Sequence, residues 1–411
     1  MTVDLSIARL GAQGDGIAET GQGSVYVPYA LPGERIEAEV DGARGKLVSL
    51  RVASADRQAP VCPHFTSCGG CAVQHMAAAA YLAWKRDLVV TALGARGIDA
   101  AVAPIIPVAA GTRRRAILSA ERAGGRLLLG YHGAKSDRII DITACPVLMP
   151  EIAAALPGLR TLAGLLIPRK GGLRLTVTRA ANGLSVDVTG AVQAPDARSR
   201  PGLAATAAAH GMIRVTLDGE LLVQQAEPQI RFGKAHVGLP PGTFLQATHE
   251  AEAALTRLVL TGVGDAARIA DLFCGIGTFT FPLAERASVL AVEADRLTGE
   301  AVQRAARQTQ VLKPITVLRR DLYREPLAGK ELAAFDAVVF DPPRDGARAQ
   351  AEALAASKVP VVVAVSCNPA TLARDLRHLL DGGYAITGIA PVDQFLYSPH
   401  VEVVATLRRS R

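Results

Sequence analysis

At 411 residues the chain is too long for one ordinary domain, and two or three are expected. Hydrophobic residues make up 49% and charged ones 20%, enough for each domain to build a core, while aromatics at 4% make that core mostly aliphatic. A formal charge of +7 permits an anionic partner such as a nucleic acid without demanding one.

The opening MTVDLSIARLG carries an early acid and no long apolar run, which argues against a secretory signal. No uncharged apolar stretch approaches bilayer-spanning length, so a soluble, cytoplasmic protein with no membrane association is expected. Six cysteines in such a chain argue against a disulfide scaffold and for metal or catalytic use.

In chain order, residues 1–55 hold the short alternating runs SIARL, SVYVPY, RIEAEV and KLVSLRV, separated by the glycine-rich stretches GAQGDG and ETGQG. Short strands between turn signals predict a small β-barrel. QGDGIAE followed by VPYALPGE resembles the TRAM module, an OB-like barrel found beside RNA-modifying domains.

Residues 56–240 read as a mixed α+β domain. A cysteine group comes first: Cys62, Cys68 and Cys71 are spaced C-x5-C-x2-C, and Cys145 follows at a distance. Three clustered thiols with a remote fourth can supply four thiolates, a shell that zinc and iron–sulfur clusters both accept. Gly69 and Gly70 between two of them suit a tight metal loop, and His75 is expected to cap or pack the next helix rather than bind metal. That helix is AAAAYLAWKRDLVVTAL; the helical stretch near 74–105 is a candidate to pack on the C-terminal domain. RLLLGYHG, LRLTVTR and LSVDVTG read as strands, and 190–202 as a loop. Arg113-Arg114-Arg115, Arg122, Arg126 and Arg169-Lys170 are candidate RNA-facing cations.

Residues 241–411 alternate near-continuous apolar runs with amphipathic segments: RIADLF, SVLAVEAD, ITVLRRD, DAVVFDPP, VPVVVAVSC, AITGIAPVD and HVEVVATLRR. That alternation marks a doubly wound α/β sheet. The last two strands, with no long helix between them, suggest an antiparallel hairpin at one edge.

DLFCGIGTF follows the first of these strands and opens a helix. Gly275 and Gly277 let backbone approach a ligand, and Glu293 stands where an acid grips ribose hydroxyls, as the nucleotide fingerprint expects. No third glycine cradles a pyrophosphate, which favours S-adenosylmethionine over NAD. Asp321, at the end of the third strand, is a candidate for the adenine edge. Asp341, at the end of the fourth, is expected beside a sulfonium and its target.

VVVAVSCNPATLARDL puts Cys367 at the C-terminal end of a buried strand, where α/β sheets carry their chemistry, with Pro369 suited to the next helix's first turn. A thiolate adding to C6 of uracil makes C5 nucleophilic enough to take a methyl group. A base must then remove the C5 proton, and Glu402 in PHVEVV is placed to do so.

SCNPATLARDL, with DLFCGIGTF, DPPR and HVE, resembles the RNA uridine-5 methyltransferase family over nearly the whole chain. The resemblance implies a class I methyltransferase (Rossmann-like) sheet beside the barrel and a cluster-bearing central domain. It implies that Cys367 is the nucleophile and Glu402 the base, and that Gln246, Phe273, Glu293 and Asp341 contact the cofactor. It also implies a 4Fe–4S cluster on Cys62, Cys68, Cys71 and Cys145, a flipped base, and a structured RNA substrate, 23S ribosomal RNA ahead of tRNA. A monomer is expected. One departure stands out: where the family often has Gln-x-Asn, this chain has Gln246-Ala247-Thr248. Two rival readings remain. Asp341-Pro-Pro also suits methylation of an exocyclic amine, although Arg344 follows instead of an aromatic. The other is a non-catalytic iron–sulfur RNA-binding protein.

Overall fold

Short apolar-polar alternation curls the first 52 residues into strands Thr2–Ser6, Arg9–Leu10, Asp15–Thr20, Gly23–Pro28, Arg35–Asp41 and Arg44–Val52, in the order first, fifth, sixth, fourth, third, second. This is a computed structural model, and it describes residues 2–167, 171–190 and 200–409. At Ile7-Ala8 the chain bonds first to Glu34 and then to Ile17, drawing the two ends of the sheet around a core of Leu5, Val27, Ile36 and Ala38. The strand Asp15–Thr20 falls where a glycine-rich turn was expected. Asp15 and Gly16 look like turn formers, but Ile17 and Ala18 are buried in a strand paired with Gly23–Pro28.

The middle of the chain is built on a seven-stranded sheet, ordered Glu220–Gln224, Met212–Leu217, Gly183–Thr189, Gly172–Ala180, Arg115–Ala123, Arg126–His132, Ile139–Asp141. Helices Leu156–Leu166 and Arg200–Ala209 bury Leu159, Leu162, Leu203 and Ala207 against Leu118, Leu175 and Val186 of that sheet. The second helix begins at Arg200, inside the stretch expected to be a loop; the rest of that loop reading at 191–199, and the Arg169-Lys170 pair, lie outside the described residues. A hairpin, Gln229–Phe232 with Ala235–Gly238, packs Ile230, Phe232 and Val237 against Ile276, Phe281 and Ala301.

The C-terminal sheet comprises β1 (Arg268–Leu272), β2 (Ser288–Glu293), β3 (Ile315–Arg319), β4 (Ala337–Phe340), β5 (Val361–Ser366), β6 (Tyr384–Val392) and β7 (Glu402–Arg409), ordered β3-β2-β1-β4-β5-β7-β6. Neighbours among β1–β5 pair in parallel, and β7 inserts antiparallel between β5 and β6. Every residue of β4 and β5 is buried, as expected for central strands covered on both faces. Helix termini are set locally. Thr248 Oγ1 accepts from Ala251 N at 3.0 Å, Asp295 Oδ1 from Thr298 N at 2.8 Å, and Asn368 Oδ1 from Ala370 N at 3.1 Å ahead of Pro369.

The helix Ala78–Gly94 shares a core with this sheet through Val89 and Leu93, and packs on the helix Pro369–Asp381. Its buried Lys85 pairs with Asp393 and donates to Phe395 O at 2.9 Å, while Tyr81 Oη donates to Asp393 Oδ2 at 2.7 Å. The loop between β6 and β7 is thereby clamped just ahead of Glu402. No described helix is long and apolar enough to cross a membrane.

Candidate active site

All the parallel strands end on one side, and the chemistry-bearing residues collect there. Register brings two of them together. Ser366 of β5 pairs with Val403 of β7, so one step further Cys367 faces Glu402 across the antiparallel pair. Cys367 is half-buried at the strand end, as expected, and Glu402 is buried at the first position of β7.

A chain of amides joins Glu402 to Asp341, which directly follows β4. Gln246 Nε2 donates to Asp341 Oδ2 at 2.9 Å, and Gln394 Nε2 donates to Gln246 Oε1 at 2.7 Å and to Glu402 Oε2 at 2.9 Å. Gln246 is itself held from behind, where the buried Arg114 guanidinium donates to its carbonyl at 2.9 Å and pairs with Glu252. This corrects the reading of Arg114 as an RNA-facing cation, because its charge is spent inside the protein. Arg113 and Arg115 also turn inward, lining the cysteine cavity described below, whereas Arg122 is exposed. Thr248, at the place of the family's Asn, spends its hydroxyl on the helix cap.

Low dielectric dominates the titrations here. Burial pushes the Cys367 thiol up to about 11, with Glu402 and Asp341 adding to the rise and Arg344 opposing it. Burial pushes Asp341 up to about 7 against the Gln246 hydrogen bond. Glu402 stands well above the usual carboxylate range, through burial first and Asp341 second.

The glycine turn lies beside this group. Phe273, Gly275 and Gly277 all have positive φ, at 58°, 54° and 92°. A Cβ on Gly275 would meet nothing within 4 Å, so open space lies above the turn, whereas one on Gly277 would stand 2.5 Å from the Phe281 ring. Glu293 ends β2 and accepts from Gly275 N at 2.9 Å. Asp271, in β1 below, is wholly buried; Thr280 donates to its Oδ2 at 2.5 Å, and its Oδ1 has no partner. Burial pushes it up to about 7. Asp321 lies two residues past the end of β3 rather than on it, exposed, its Oδ1 accepting from Tyr323 N at 3.0 Å. The Tyr323 ring stands 5.5 Å from that of Phe273.

Cys367 opens onto a groove of about 1010 Å³, walled by Leu10 and Gln13 of the N-terminal sheet region, Trp84 and Asp87 of the helix Ala78–Gly94, and Arg344 and His400. The last two also wall a second cavity of about 300 Å³, which Cys62, Cys68, Cys71 and Cys145 all line. Among the described residues no three Cys, His, Asp or Glu side chains converge tightly enough to hold a metal ion, although the four cysteines share the wall of this cavity. Burial raises Cys68 and Cys145, and Cys71 to about 12, and neighbouring thiols add to each rise. His75 packs against the Tyr29 and Phe65 rings rather than capping or packing the next helix, with both ring nitrogens unpartnered and burial lowering it to about 4.

Sequence reading missed Gln394, Asp271 and the Lys85–Asp393 clamp. Asp271 was visible as the acid heading DLFCGIGTF. A glutamine in VDQFLY and a lysine in an alanine-rich helix carry no signal until the chain folds.

Residues 240–410 match the family model for tRNA (uracil-5-)-methyltransferase. An uncharacterized RNA methyltransferase of Brucella suis is 48% identical over 410 residues, covering 100% of this chain and 99% of its own length. The 23S rRNA (uracil(1939)-C(5))-methyltransferase RlmD of Shewanella frigidimarina is 32% identical, covering 98% of this chain and 94% of its own. The solved structure of Pyrococcus abyssi tRNA (uracil-54, C5)-methyltransferase with S-adenosyl-L-homocysteine shares the fold, with a TM-score of 0.76, 24% identity and coverage of 98% and 99%. With a relative this similar over the full length, the chain belongs to the S-adenosylmethionine-dependent RNA (uracil-5)-methyltransferase family.

Proposed function

We propose that this protein methylates C5 of a uridine in structured RNA through a covalent adduct between Cys367 and C6, with 23S ribosomal RNA the substrate ahead of tRNA. The observation that carries the reading is that Cys367, which lines the large groove, and the buried Glu402 stand one step past the Ser366–Val403 register pair of β5 and β7. Cys367 Sγ, giving its proton to solvent, adds to C6, and the electron pair this delivers makes C5 the nucleophile for a methyl group, which S-adenosylmethionine would supply with release of its thioether sulfur. The C5 proton then passes to Glu402 while the C5–H electrons form the C5=C6 bond and the C6–S pair returns to sulfur. A half-buried thiol cannot reach C6 in a stacked base, so the uridine must be flipped into the groove.

S-adenosylmethionine, when bound, supplies the electrophilic methyl group. The open side of Gly275, the unpartnered Asp271 Oδ1 and the clustered acids fit it. Carboxyls raised by burial and by one another favour a bound cation, which a sulfonium is. Gln246, Phe273, Gly275, Gly277, Glu293, Asp321 and Asp341 are the proposed cofactor contacts.

The four cysteines that share one cavity wall are read as ligands of a 4Fe–4S cluster, since four thiolates are the shell that such a cluster takes. Arg113, Arg115 and Arg344 on its wall would offset thiolate charge. Its role is structural or RNA-positioning, since methyl transfer needs no electron. The curled N-terminal sheet is read as the TRAM-like barrel, giving proposed domains at 1–55, 56–240 and 241–411. Ribosomal RNA is favoured by the relative whose name specifies 23S rRNA, matched over almost its full length.

Mapping 5-methyluridine in total RNA with and without the gene tests substrate and position together. With 5-fluorouridine-substituted RNA, the wild type is expected to form a denaturation-stable adduct and Cys367→Ala none. Full methylation by Cys367→Ala would end the covalent reading, and a methylated adenine or guanine in place of 5-methyluridine would favour the exocyclic-amine rival.

A further inference from the structure

We propose that Gln394 is a positioning residue for the second half of the reaction, holding Glu402 in the orientation that removes the C5 proton and tying it to the methyl-donor side through Gln246. The inference rests on the roles given to Cys367 and Glu402 above. Gln394 is buried, and every polar atom of its amide is used. Oε1 accepts from Ala247 N at 2.9 Å, and the two Nε2 hydrogens go to Gln246 Oε1 and Glu402 Oε2. This set has one polarity. Flipping the amide would turn Nε2 toward the Ala247 N–H and Oε1 toward Gln246 Oε1 and Glu402 Oε2, replacing three hydrogen bonds with three repulsions. Gln246 is locked in consequence, because its oxygen faces a donor and its nitrogen must donate to Asp341.

The backbone of Gln394 is equally fixed. Its N–H bonds to Val392 O at 2.9 Å, and Asp393 beside it sits in the Lys85–Tyr81 clamp. A fixed N–H aimed at Glu402 favours its carboxylate form, which is the form a base needs. Without it, burial and the charge of Asp341 leave Glu402 more firmly protonated. Addition of the thiol to C6 and methyl transfer do not use Glu402 as a base. Losing Gln394 should therefore slow elimination more than the earlier steps, which it reaches only through Gln246.

The test uses two full-length variants. Gln394→Met keeps the length and removes all three hydrogen bonds; Gln394→Glu keeps an oxygen for Ala247 N–H and removes the donors. The probe is 23S ribosomal RNA and tRNA from a strain lacking the gene, with methyl-labelled S-adenosylmethionine. Both variants are expected to lose less in trapping of 5-fluorouridine-substituted RNA than in turnover. With ordinary RNA they should accumulate a methyl-labelled protein–RNA adduct and release product on the order of tenfold to a hundredfold more slowly. Raising the pH should partly recover Gln394→Met, because Glu402 can still ionise with Arg344 favouring it, although burial, Asp341 and Cys367 oppose that charge. Wild-type turnover in both variants, or equal loss of trapping and turnover at every pH, overturns the inference. Failure of the wild type itself to trap fluorinated RNA would instead overturn the covalent reading.

Discussion

Lys85→Met removes the cation from the buried ion pair that clamps the loop between β6 and β7. Side-chain exposure is 0% for Lys85 and 1% for Asp393. Burial lowers Lys85 and raises Asp393 despite their mutual attraction, so desolvation outweighs the Coulomb gain for both partners. Two consequences follow with opposite signs. Removing one partner strands a buried carboxylate held only by Tyr81 and costs about 3–5 kcal/mol. Replacing both, as Lys85→Met with Asp393→Leu, is expected to fall within about 1 kcal/mol of wild type or to stabilise, because two desolvation penalties vanish with the pair. The protein's single tryptophan, Trp84, neighbours Lys85 and donates to Gly11 O at 3.3 Å, so its emission reports docking of the helix Ala78–Gly94. In urea, the single variant should shift the Trp84 transition by an opening constant about two to three and a half orders of magnitude larger. The double variant should restore it. A single variant costing under about 1 kcal/mol, or a double variant as unstable as the single, refutes the reasoning.

With burial pushing the Cys367 thiol up to about 11, its alkylation by iodoacetamide should rise about tenfold per pH unit from neutral pH toward that value. Arg344→Met should slow alkylation at pH 8 by about threefold to tenfold, less in high salt because Arg344 is exposed; a plateau from pH 7 upward counts against the assignment. The two turn glycines should fail differently. Gly277→Ala drives a Cβ into Phe281 and should destabilise by about 1–3 kcal/mol on thermal unfolding, whereas Gly275→Ala fills the open side and should cut S-adenosylmethionine affinity by calorimetry with a smaller loss of stability. The reverse pattern would move the cofactor away from Gly275. Arg114→Met, stranding Glu252, should cost about 3–5 kcal/mol in urea, against under about 0.5 kcal/mol for Arg122→Met. An Arg114→Met protein of normal stability that loses only RNA binding would restore that arginine to the RNA face.

The sequence by itself determined whatever depends on neighbours along the chain. The parallel sheet was legible because central strands such as VVVAVS are apolar on both faces, and the glycine turn because strand, turn, helix and acid follow in order. Cys367 and Glu402 were legible as the ends of two such strands. Tertiary structure decided what distant segments do to one another. Arg114 looked like a phosphate ligand beside two other arginines, and only packing revealed the glutamate that neutralises it. Strand Asp15–Thr20 was hidden by turn-forming residues whose neighbours find a core only in the folded sheet. Gln394 and Lys85 carry no local signal, since their bonds reach residues 148 and 308 positions away. Periodicity records which face of an element is buried, while hydrogen-bond geometry at a site is set by the loops and helices that converge on it.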